Sequence, residues 1–111
     1  MIRVLLSLDL IKSNDQRDDF YDFLIEKKWL KTEDVDTVWT ITYPNADPEK
    51  KAHCTAIKKK IASELVEAAT ELKLKKIYYV AQIGNGEVIA RSIMKDDGEY
   101  KQFTRKLYPD K

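Results

Sequence analysis

Asp9 is the residue with the strongest claim to chemistry. It closes an otherwise apolar run, Ile2-Arg3-Val4-Leu5-Leu6-Ser7-Leu8-Asp9-Leu10-Ile11, where an ionised carboxylate is costly to desolvate. It must therefore sit at the open end of that run, be paired, cap the following turn or hold a cation. The economical assignment is structural, with Asp9 or Asn14 organising the polar turn Ser13-Asn14-Asp15. The chemical alternative is a metal or phosphate site.

One aspartate is a thin apparatus for cutting a phosphodiester: a metal mechanism uses several oxygen ligands, and a metal-free one needs a base and a charge stabiliser. Asp15, Asp18 and Asp19 are already explained by the first turn of a helix, whose dipole favours acids. His53 and Cys54 are adjacent, and neighbouring side chains on a helix diverge by about 100°. With a single His in the chain, a catalytic triad and a four-ligand zinc site within one subunit are excluded. His53 reads as a surface helix residue and Cys54 as a small buried hydrophobe. Gly84-Asn85-Gly86 lacks the following helix and the Lys-Ser/Thr pair of a phosphate loop, so it is a hairpin turn.

The basic residues gather in three places: Lys58-Lys59-Lys60, then Lys73, Lys75 and Lys76, then a tail with Lys101, Arg105, Lys106 and Lys111. Each is an ordinary solvated face by itself. Should Lys58, Lys59, Lys75, Lys76, Arg105 and Lys106 converge, they would hold a phosphate backbone in a salt-sensitive, sequence-independent way. Tyr78 and Tyr79 point to opposite faces of a strand, leaving at most one for base stacking. Trp39 shares a face with Ile41 and belongs to the core.

These groups need a scaffold. The 111 residues suffice for one domain, 1–111, with a real core. Apolar residues make up 43% and charged residues 35%, and 20 Lys and Arg stand against 19 Asp and Glu. No global field draws such a chain to nucleic acid or an anionic membrane, so any binding must be local. The single cysteine excludes an internal disulfide and fits a reducing compartment. The opening apolar run is too short for a membrane span and has no cleavage site, so the expectation is a cytoplasmic protein with no membrane partner.

Period-two alternation predicts a first strand over 2–11, central and largely covered. An amphipathic helix follows over 15–29, with Phe20, Phe23 and Leu24 inward. Residues 30–36 read as a twisted strand or a turn, and 35–43 as a strand ended by Pro44. Asp47 and Pro48 look like the N-cap and first position of a helix that reaches Lys73, as one piece or two in tandem. Strands at 77–83 and 88–93 flank a turn at 84–87. Asp97-Gly98 breaks the chain before a short terminal helix carrying Tyr100, Phe103 and Leu107. This order predicts an α/β (α+β) sandwich of the ferredoxin-like split βαβ kind: two helices on one face of a four- to five-stranded, mostly antiparallel sheet.

Three features resemble the small ferredoxin-fold group that includes the nonintegrase subunit of the CRISPR spacer-acquisition complex, virulence-associated protein D and their plasmid- or phage-borne relatives. They are the strand closing on Ser7-Leu8-Asp9-Leu10, a helix finishing on Trp29, and Asp36-Thr37-Val38-Trp39-Thr40-Ile41, similar to the Ser/Thr-x-Trp strand of several relatives. The likeness covers roughly residues 2–45 and, more loosely, 77–83. It implies a homodimer in which two copies of Asp9 approach, with Ser7 and Asn14 as neighbours. In some members this site binds a divalent ion and cleaves RNA or DNA; in others it does no chemistry. Two close carboxylates repel unless an ion or proton lies between them, which suits Mg2+ or Mn2+. Two functions are therefore expected. The favoured one is a noncatalytic dimeric module for nucleic acid or a partner protein, such as an antitoxin, a defence-system or a phage-related component. The other is a metal-dependent endonuclease using Asp9 from two subunits.

Overall fold

A computed structural model describes residues 1–33, 35 and 37–108, and of Asn14 the backbone alone. The Asn14 side chain, Asp36 and Lys111 therefore lie outside the described residues. The elements are β1 (Ile2–Ile11), a 3-10 turn (Asn14–Gln16), α1 (Arg17–Glu26), β2 (Leu30–Lys31), β3 (Val38–Tyr43), α2 (Lys51–Leu72), β4 (Lys76–Ile83), β5 (Ile89–Asp96) and β6 (Glu99–Thr104). The strands form one six-stranded sheet in the order β2-β3-β1-β4-β5-β6, each neighbouring pair antiparallel. The fold is α+β.

Alternation in β1 puts Ile2, Val4, Leu6, Leu8 and Leu10 into the core, where they join Phe20, Phe23 and Leu24 of α1 and Ile57, Ile61 and Leu65 of α2. Both helices thus pack on one face of the sheet. The other face of β1 is open, with Arg3 and Asp9 exposed and Leu5 50% exposed. The strand expected to be covered is central but covered on one side only, because both helices lie on the same side.

Helix α1 carries Asp18 and Asp19 in its first turn, as the dipole argument predicts. It ends earlier than Trp29. Lys28 adopts φ 77° and the Trp29 N–H donates to the Leu24 carbonyl at 3.0 Å, a reversal that tucks the indole into the core. Asp47 and Pro48 precede α2 rather than start it. The Asp47 carboxylate accepts from the Glu49 N–H at 2.9 Å and its carbonyl from the Lys50 N–H at 3.0 Å, closing a separate turn. Past that turn α2 is one unbroken helix, as its lack of Gly and Pro permits.

The expected terminal helix is instead strand β6. Asp97 and Gly98 take φ of 52° and 83°, the left-handed pair that a two-residue hairpin turn requires, and Asp96 pairs with Glu99 across it. This strand and short β2 bring the sheet to six strands instead of four to five. Strand β3 starts at Val38 rather than at 35. No helix among the described residues is long and apolar enough to cross a membrane.

Candidate functional site

Asp9 stands exposed on the open face, in register with Tyr78 of β4. Among the described residues it makes no hydrogen bond or ion pair. It does not organise the turn after β1, since alternation points it away. Ser13 does that work. Its hydroxyl, buried at 3% exposure, donates to the Ile11 carbonyl at 3.2 Å and accepts from the Lys75 N–H at 3.0 Å, tying the end of β1 to the start of β4. Ser7, half-buried, lies on the same face as Asp9 between Val38 and Val80.

Ser7, Asp9, Thr37, Tyr78, Val80 and Arg105 line a shallow hollow of about 350 Å³ on this face. The Arg105 guanidinium carbon lies 3.9 Å from the centre of the Tyr78 ring, close enough for the plane of charge to rest on the ring. The Lys76 ammonium reaches the Tyr78 hydroxyl at 3.4 Å. Asp9 is the one carboxylate in the lining of this hollow. Among the described residues no three His, Cys, Asp or Glu side chains are placed to share a metal, so a Mg2+ or Mn2+ ion at Asp9 would need ligands from a second copy.

A groove of about 1010 Å³ lies where β1 ends, α2 ends and the β5–β6 hairpin turns, with Lys12, Lys73, Lys75, Lys76 and Lys95 in its lining against one carboxylate, Glu99. None of these five lysines forms an ion pair among the described residues. The negative end of the α2 dipole accounts for part of the cluster, but ammonium groups so gathered repel one another and favour an anion between them. Backbone geometry sharpens the point. Lys12 and Lys73 take φ of 55° and 54°, a left-handed conformation that glycine would occupy without strain. The groove floor is held by the Tyr100 hydroxyl, which donates to the Leu74 carbonyl at 2.8 Å.

The six expected phosphate ligands do not converge. Lys75 and Lys76 line the groove and Arg105 covers Tyr78 on the open face. Lys58 and Lys59 are exposed on α2, with the sheet between them and Arg105. Lys106 is exposed beyond β6. Lys12 and Lys95 were not singled out from sequence, because only the antiparallel register brings strand ends from three parts of the chain together. Tyr78 faces out and Tyr79 in, as alternation predicts, and Trp39 is fully buried. His53 is half-buried rather than a surface residue, its Nδ1 accepting from the Asp47 N–H at 2.8 Å; Cys54 is likewise half-buried.

On the helix side, the buried Glu64 carboxylate accepts from the Trp29 indole at 3.1 Å. Burial, and secondarily Glu64, pushes the Tyr43 hydroxyl up to about 12. Burial likewise raises Tyr79 to about 12, partly offset by Arg91. None of Glu64, Trp29 and Tyr43 lines the groove or the open-face hollow.

No family model, no curated protein and no solved structure matches the chain.

Proposed function

We propose that the chain is a noncatalytic nucleic-acid-binding module that grips the phosphate backbone in the lysine groove. The observation that carries this reading is the concentration of five lysines against one carboxylate on a chain whose net charge is only +1. Such a site binds by counterion release, without base readout, and weakens steeply with salt. The ferredoxin-like reading of the fold is supported by the order β2-β3-β1-β4, in which α1 and α2 each join two strands that flank a third. In this reading the protein is a cytoplasmic homodimer whose contact leaves the Asp9 face open.

Fluorescence anisotropy with labelled oligonucleotides across a salt series tests it. Wild-type affinity should fall linearly on a log-log plot, and the slope should shrink by about one for each of Lys12→Gln, Lys73→Gln and Lys75→Gln. Lys58→Gln with Lys59→Gln should leave it unchanged. Equal effects from both sets would refute the groove.

A second reading, a metal-dependent endonuclease acting on RNA or DNA, is favoured by one observation: Asp9 is exposed, and unpaired among the described residues, on a face open enough to receive another copy. Labelled RNA and duplex DNA are incubated with Mg2+, with Mn2+ and with chelator, beside Asp9→Ala. Metal-dependent cleavage lost in that variant establishes the nuclease; cleavage that survives it does not belong to Asp9.

A further inference from the structure

The lysine groove leaves the open face of the sheet unexplained, and one residue joins the two. Lys76 lines the groove while its ammonium touches the Tyr78 hydroxyl at 3.4 Å. A phosphate held by Lys76 therefore places its attached nucleotide over Tyr78. There Arg105 lies on the ring at 3.9 Å and is itself exposed, so ring and guanidinium together offer a planar, cationic platform at the surface. Beside it Asp9, Ser7 and Thr37 complete the polar lining of the hollow.

We infer that this face takes one unpaired nucleotide of single-stranded RNA, its base stacked on the Arg105–Tyr78 pair and its backbone continuing into the groove. The inference rests on the groove reading and adds strand type and sugar to it. Paired bases are stacked within their own duplex and cannot lay a face on the pair, so a double strand gains only the phosphate contacts. Stacking on an aromatic ring or a guanidinium plane is available to a splayed, unpaired base. The carboxylate of Asp9 repels phosphate, which directs the backbone toward Lys76, and it accepts hydrogen bonds only. The ribose 2′-hydroxyl and base N–H groups are donors suited to it, and deoxyribose lacks that hydroxyl.

The test measures anisotropy of labelled single-stranded RNA, DNA of the same sequence and the RNA duplex, with wild type, Tyr78→Ala, Tyr78→Phe and Arg105→Ala. Circular dichroism checks folding, and sedimentation gives the oligomeric state. Tyr78→Ala and Arg105→Ala should each weaken single-stranded RNA about tenfold, with duplex affinity unchanged for Tyr78→Ala, and Tyr78→Phe should retain wild-type binding. Because Arg105 is exposed, its variant keeps the test valid if Tyr78→Ala fails to fold. Binding that depends on the groove lysines but ignores both substitutions would overturn this inference and spare the groove; no binding by wild type would overturn both. Equal affinity for the matching DNA would overturn the assignment to RNA. A dimer that dissociates in Tyr78→Ala with RNA affinity intact would overturn it too, giving the face to a second copy.

Discussion

Ser13 connects parts of the chain 62 residues apart through one hydroxyl. Replacing it with alanine leaves the Lys75 N–H without its acceptor in a partly buried turn, so Ser13→Ala should cost about 1–2 kcal/mol, read as a lower denaturation midpoint with unchanged slope. Tyr79 makes a pH prediction. Its hydroxyl is held near 12 in the folded state against an ordinary value of 10.0, so folding favours the protonated form. The stabilisation is fully present below pH 10 and is lost as pH rises toward 12, amounting to about 2–3 kcal/mol. Thermal melts between pH 8 and 12 should show a shallower alkaline decline for Tyr79→Phe than for wild type. Alternation alone revealed that Tyr78 and Tyr79 face opposite ways; the side on which the helices pack decided that Tyr79 is the buried one. That Asp9 points away from the turn rather than organising it was not legible, because Ser13 takes that role with a partner that only the tertiary fold supplies.

At the scale of elements, the end of α2 sets stability against charge. Lys73 caps the helix at φ 54°, where glycine is the usual occupant. Lys73→Gly should therefore stabilise the protein by about 0.5–1 kcal/mol while weakening polyanion binding, a divergence visible by setting melting temperature beside anisotropy. The β5–β6 hairpin teaches a related lesson. Asp97-Gly98 is a strong hairpin signal in sequence, yet Tyr100, Phe103 and Leu107 also fit a helical spacing. The strand prevails because β5 offers a free edge whose backbone groups β6 satisfies. The start of α2 was misplaced for a local reason, since the Asp47 side chain closes its own turn before the helix begins.

For the molecule as a whole, the two helices on one face of the sheet make a single core, and Leu6 lies fully buried within it on the central strand. Leu6→Ala should lower stability by about 2–5 kcal/mol and shift one cooperative unfolding transition, followed by far-UV and tryptophan signals together. Sequence by itself determined the α+β class, the central first strand, both helices and most inward-facing residues, because these follow from periodicity within short segments. It also determined that near-balanced charge confines any polyanion site to a local patch. Only tertiary structure decided which face of the sheet stays open and which lysines meet. Both depend on antiparallel register and on which side the helices pack, and these relations between distant segments leave no periodic trace in the chain.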